Sequence, residues 1–277
     1  MVNHMPQSIT ASLNYLIDTG EKPVNAPLGV GPEEVRLKVW NYDARDISLL
    51  NGGVAEEEFD LDVYGFAFVQ HPIQTKNFYD VEELKSVYYP EIEQLIKDQM
   101  GVLRLLIFDH TLRNGDDDLR ARLGTREQVK SVQNDYTEWS GPQCVRDFVA
   151  DEAEGFLSRR MAVVQAWRAI NQPIQINPLA ICSARSLASA DLLTAERHHK
   201  DQIGEIYQFT RNPDHDWHYF QDMARDEAIV FKVYDSAQDG RTRFTVHTSF
   251  DDPSTPADAS PPESIKIRTI AFVDEAA

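Results

Sequence analysis

The chain has 277 residues, 42% hydrophobic and 10% aromatic, enough to bury a substantial core in one large or two small domains and to exclude a disordered chain. Asp and Glu outnumber Lys and Arg by 45 to 27, a net charge of -18. That balance disfavours nucleic-acid backbones and anionic membranes as partners, because both attract basic patches. Cys144 and Cys182 are too few for a disulfide framework, and neither sits in a C-x-x-C pair that would suggest zinc or redox chemistry. The first ten residues lack the apolar stretch of a signal peptide, and no run of about 18 apolar residues exists, so a soluble cytoplasmic protein is expected.

In chain order, residues 1–33 read as an irregular N-terminal arm, with Gly20, Pro23, Pro27, Gly29, Gly31 and Pro32 in its second half. A single domain is expected over 34–277. Glu34 to Trp40 alternates apolar and polar residues as a half-buried strand does, Asn51-Gly52-Gly53 is a turn, and Val63 to Val69 is a second strand. Asp80 to Met100 carries Leu84, Val87, Tyr88, Ile92, Leu95 and Ile96 at helical spacing, with Pro90 as a break or kink and Gly101 as the stop. Val102 to Phe108 is a strongly apolar strand. Val129 to Asp135 and Ala162 to Ile170 read as strands flanking a helix at Gln143 to Leu157. Further strands are expected at Leu179–Cys182, Glu205–Thr210, Trp217–Phe220, Ala228–Tyr234, Thr242–Phe250 and Ser264–Val273. Asp251 to Pro262, rich in proline and acids, reads as a long loop or flap. Many strands after a mixed start suggest a mainly β fold of the jelly-roll kind with helices packed outside.

One stretch carries the chemistry. In Val132-Gln133-Asn134-Asp135-Tyr136-Thr137 a carboxylate stands on an extended segment, and His247 lies far downstream. A His two residues before that carboxylate would complete the 2-His-1-carboxylate facial triad of non-haem Fe(II) oxygenases. Gln133 stands there instead. His198-His199-Lys200 and His215 with His218 suggest a second metal cluster, but their polar, loop-like surroundings favour exposed positions over ligation.

Several ordered landmarks resemble one family. They include Leu13-Asn14-Tyr15, Phe108-Asp109-His110-Thr111-Leu112-Arg113, Asn134-Asp135-Tyr136-Thr137 and Trp167-Arg168. His247-Thr248-Ser249-Phe250-Asp251-Asp252-Pro253 and Pro262-Glu263-Ser264-Ile265-Lys266-Ile267-Arg268 complete the series. Together, over about Leu13 to Val273, they look like the hydroxylase/desaturase group of microbial secondary metabolism. The resemblance implies a double-stranded β-helix, cupin-like, that usually binds Fe(II) and 2-oxoglutarate. It assigns Asp135 and His247 to the second and third metal ligands and Arg268 to the distal carboxylate of 2-oxoglutarate, for which a guanidinium fork is well shaped. It departs at the first ligand, Gln133, whose amide oxygen is a weak, hard donor better suited to Ca or Mg.

Asp135 alone would read as a turn or cap residue and His247 as a satisfied core histidine; their place among the landmarks favours a site role for both. Arg113 and His110 follow an apolar strand and, with Arg168, are candidate carboxylate-binding residues; Tyr136 and Trp139 are a candidate aromatic wall. Two catalytic readings follow. The favoured one is a biosynthetic enzyme that has lost iron and needs no cofactor. It would catalyse a redox-neutral cyclisation, pericyclic step, dehydration or isomerisation on a small natural product, with Asp135 and His247 as acid and base and Gln133 as a hydrogen-bond donor. The alternative is a working Fe(II)/2-oxoglutarate hydroxylase or desaturase that tolerates Gln133. A non-catalytic subunit beside a partner enzyme, and a homo-oligomer, stay open.

Overall fold

Strand-period alternation of inward and outward residues organises this chain into two sheets. The computed structural model describes residues 6–28, 35–38, 40–198 and 203–273. The strands are β1 (Ser8–Leu16), β2 (Val24–Leu28), β3 (Val35–Lys38), β4 (Tyr42–Asn51), β5 (Phe66–Gln70), β6 (Arg104–Asn114), β7 (Gln133–Asn134) and β8 (Met161–Ala169). They continue as β9 (Leu179–Cys182), β10 (Leu192–His198), β11 (Ile203–Phe209), β12 (Trp217–Tyr219), β13 (Glu227–Asp235), β14 (His247–Ser249) and β15 (Glu263–Phe272). Helices are α1 (Val81–Glu83), α2 (Tyr89–Met100), α3 (Asp117–Leu123), α4 (Ser140–Val149) and α5 (Ala153–Leu157).

One sheet has the order β5-β13-β8-β15-β6; the other runs β1-β4-β12-β9-β14-β7-β11-β10-β2-β3. A core joins side chains of both, with Phe66, Val163, Trp167 and Phe231 from the first meeting Leu179 and Ile181 from the second. On the other face of the first sheet, Val164, Ala166, Ile265 and Ile267 pack beneath Leu84, Tyr88, Ile92, Leu95 and Ile96 of the helical segment. This is the mainly β jelly-roll layout expected, with helices outside.

Several local expectations change. The arm at 1–33 is not irregular where it is described: β1 pairs antiparallel with β4 from Ser8↔Leu50 to Leu16↔Tyr42, and β2 pairs with β3 and β10. Leu13 and Tyr15 are buried on one face of β1, a period-2 signal that the nearby glycines and prolines obscured. Gly29, Gly31, Pro32 and Glu34 lie outside the described residues. Val129–Asp135 contracts to β7, and Thr242–Phe250 to β14. The helix at Gln143–Leu157 is two helices, broken where Ala150 takes φ 34. Pro90 does not end its helix. Leu84–Tyr88 widens into a π turn just before it, because proline offers no N–H to the carbonyl four residues back and its ring crowds that carbonyl. Gly101 closes α2 in the left-handed conformation as expected. Residues 251–262 carry no helix or strand. Among the described residues no helix is long and apolar enough to cross a membrane.

Gly65, at φ +88 before β5, sits against the segment that leads into β14, and a Cβ there would lie 2.3 Å from Thr245 Oγ1. Gly20, at φ +77, has nothing within 4 Å of such a Cβ. Gly65→Ala is therefore expected to cost about 2 kcal/mol more than Gly20→Ala, because it adds a clash to the shared backbone strain. Denaturant melts check this; equal losses in the two variants would remove the packing argument.

Candidate active site

Residues two apart on a strand share a face, so register decides which side chains meet between the sheets. On β15, Lys266 and Arg268 pair with Trp167 and Gln165 of β8. On the second sheet, Gln133 of β7 pairs with His247 of β14. Asp135 follows β7 by one residue and points at both. These side chains line a cavity of about 430 Å³, with Arg113, Arg126 and Arg197 adding charge and Leu179 and Phe231 an apolar wall.

Asp135 is the hub. Gln133 Nε2 donates to its Oδ1 at 2.9 Å, while Gln165 Nε2 and Lys266 Nζ donate to its Oδ2 at 2.8 and 2.6 Å. Arg268 Nε lies 4.0 Å from the same oxygen. His247 Nε2 is 3.8 Å from Oδ1, close enough for charge interaction but not a hydrogen bond. His247 Nδ1 sits 3.3 Å from the Thr245 carbonyl, which fixes the proton on Nδ1 and leaves the Nε2 lone pair facing the cavity.

The orientation of the Gln133 amide is enforced from both ends. Its Oε1 accepts from Arg197 Nη2 at 3.2 Å and from Ser131 Oγ at 3.3 Å. Turning the amide over would set its oxygen against an ionised carboxylate and its N–H₂ against a guanidinium that only donates.

Burial alone would raise the Asp135 carboxyl, but Lys266, His247 and Arg268 together hold it well below the usual carboxylate range. Burial pushes the Lys266 ammonium down to about 7 against the opposing pull of Asp135, with Arg268 and Arg113 adding to the depression. Burial likewise takes the His247 imidazole down to about 4, so it is neutral at pH 7. The Arg113 guanidinium is lowered by burial to about 10.

The cavity thus collects Gln133, Asp135, His247, Arg113 and Arg268. Arg268 is partly engaged elsewhere, donating to Asp109 Oδ2 and Thr111 Oγ1 at 2.7 Å each. Two candidates do not reach it. His110 faces α2, where its Nδ1 meets Tyr89 Oη at 2.8 Å. Arg168, fully buried on the helix side of β8, contacts His71 Nδ1 at 2.7 Å and the ring of Tyr88. Both stand one residue out of phase with the inward positions. Tyr136 and Trp139 line a neighbouring cleft that shares Asp135, Arg197 and Arg268 with the cavity. His215 and His218 are buried, not exposed: His215 bridges Tyr15 and Asp191, and His218 contacts Asp216. His199 and Lys200 lie outside the described residues. Sequence reasoning missed Lys266, Gln165 and Arg197. A glutamine inside the otherwise apolar Val163-Val164-Gln165-Ala166-Trp167, and the Lys266-x-Arg268 spacing, were the available signals.

A family model described as "Oxidoreductase/YMDC permease-like domain" matches residues 13–272. The chain belongs to that family. Among similar proteins, hydroxylase/desaturase efuI of Hormonema carpetanum is 28% identical over 97% of this chain and 96% of its own length. The Fe(II)/2-oxoglutarate-dependent dioxygenase nvfI of Aspergillus novofumigatus is 24% identical over 84% of this chain and 85% of its own length. A solved structure of the iron and alpha-ketoglutarate-dependent endoperoxidase NvfI superposes with a TM-score of 0.86 at 20% identity, covering 98% of this chain and 100% of that one. The fold is therefore the one that this endoperoxidase has.

The residues of this family member do not fit the iron that fold implies. The first ligand position holds a carboxamide, Gln133, turned to donate toward Asp135, and both Asp135 oxygens already accept from side chains. Among the described residues no three His, Cys, Asp or Glu side chains converge on one point.

The neutral state of His247 has a pH signature. An unfolded imidazole protonates near 6.5, whereas the folded one resists until about 4, so stability is lost as pH falls through that window. In His247→Gln this loss should be smaller by up to about 3 kcal/mol between pH 7 and pH 4. Denaturant titrations at several pH values test it, and parallel curves for the two proteins would contradict it.

Proposed function

We propose that this chain is a biosynthetic enzyme that carries out a redox-neutral, acid–base step on a small anionic molecule inside the oxygenase barrel. Cyclisation, pericyclic reaction, dehydration and isomerisation are the reaction types that such a site serves. The observation that carries the reading is the locked Gln133 amide, with its N–H on Asp135 and its oxygen on Arg197 and Ser131.

Arg113 and Arg268 bind and orient the substrate anion, the former with no carboxylate partner within ion-pair distance among the described residues. The apolar wall of Trp167, Leu179 and Phe231 takes its carbon skeleton and keeps water away. His247, neutral with its Nε2 lone pair free, accepts a proton, and the imidazolium that forms is stabilised by Asp135 at 3.8 Å. Lys266, poised near neutrality, returns a proton to substrate oxygen. Asp135 stays ionised throughout and sets the positions of its neighbours.

A second reading, an Fe(II)/2-oxoglutarate-dependent hydroxylase or desaturase, is favoured by the relatives' activities and by the closeness of His247 Nε2 to Asp135 Oδ1. Metal analysis separates the two. Purified protein supplied with Fe(II) and 2-oxoglutarate is expected to retain substoichiometric iron and to form no succinate. One iron per chain together with succinate release would establish the oxygenase reading instead.

A further inference from the structure

Lys266 lines the cavity with its side chain only 8% exposed, and its one hydrogen bond among the described residues goes to Asp135 Oδ2 at 2.6 Å. An ammonium carries three donors, so two remain on the cavity side. The lining holds five cationic side chains, Arg113, Arg126, Arg197, Lys266 and Arg268, against two carboxylates, Asp135 and Glu127. In a chain of net charge -18 this is a locally positive chamber. It repels a divalent cation and attracts an oxyanion.

We propose that the Lys266 ammonium has taken over the place of a metal ion: it neutralises Asp135 from within the chain and turns its remaining N–H groups on a carboxylate or enolate oxygen of the substrate. This rests on the redox-neutral reading above and names the group that makes it work. A metal ion polarises a substrate oxygen by charge, and a desolvated ammonium among arginines does so through charge-assisted hydrogen bonds. It follows that Gln133→His alone does not restore a metal site, because the tethered cation still holds the carboxylate. Removing Lys266 as well takes the cation off Asp135 Oδ2 and leaves Gln165 as its one side-chain donor among the described residues, so a lone pair opens for coordination.

The test compares wild type, Gln133→His, Lys266→Met, Lys266→Arg and Gln133→His/Lys266→Met. Co(II) binding is read by its visible absorption, and oxalate binding by calorimetry. The double variant is expected to bind one Co(II) about 10–100-fold more tightly than Gln133→His. Oxalate affinity should fall about tenfold or more in Lys266→Met and be largely kept in Lys266→Arg. Thermal melts verify folding. Lys266→Gln, which keeps a donor to Asp135 but no charge, replaces Lys266→Met in the oxalate comparison if the latter does not fold. Equal Co(II) affinity in Gln133→His and the double variant, or unchanged oxalate affinity without Lys266, overturns the role of Lys266 and leaves the redox-neutral reading standing. Stoichiometric Fe(II) uptake with succinate release by wild type overturns both.

Discussion

A carboxylate placed between two sheets has to be neutralised, and much of this molecule's interior chemistry is arranged around that need. Asp135 is almost wholly withdrawn from solvent, and an isolated charge there would be prohibitively costly. The fold supplies one ammonium, two carboxamides, an imidazole and a guanidinium from four strands, β7, β8, β14 and β15. Removing one partner of such a buried pair typically costs about 3–5 kcal/mol, because the other is stranded. The same constraint that stabilises the hub fixes its chemistry. Three of the carboxylate's roughly four acceptor sites are already taken by Lys266, Gln165 and Gln133, which leaves little of it for an ion.

Strand phase explains which side chains take part. On β8, Gln165 and Trp167 face the chamber while Arg168 faces the helices; on β6, Arg113 faces inward while His110 meets Tyr89 of α2. Lys266, Arg268, Ile270 and Phe272 share one unbroken phase on β15 against β8. The slip opposite Arg268 and Thr269 leaves Phe108 of β6 unpaired and keeps Arg113 as well as Leu106 and Phe108 of β6 turned inward. Polar residues therefore gather at one end of the barrel interior, and Ile270 and Phe272 close the other.

A fold shared with an iron and alpha-ketoglutarate-dependent endoperoxidase and a carboxamide at the first ligand position are compatible physical statements. The family likeness resides in strand order and in the landmarks that place Asp135, His247 and Arg268. Metal selection resides in donor type and orientation, which change with a single amide and a single lysine. A chamber that already holds a carboxylate, an imidazole and arginines needs few substitutions to exchange cation binding for anion binding.

The sequence by itself determined the mainly β class, the helix ending at Gly101, and strands such as Leu179–Cys182 and Ala162–Ile170, because periodicity and stop signals act over a few residues. It also pointed to Asp135, His247 and the Gln133 departure, through the order of landmarks shared with a family along nearly the whole chain. It did not reveal β1, whose alternation lay beside glycines and prolines, nor the face each Arg and His would take. Only the tertiary structure decided that Lys266 and Gln165, 131 and 30 residues from Asp135, close on its carboxylate. Those contacts depend on the pairing register between strands distant in sequence, and a shift of one residue would turn each of them to the opposite face.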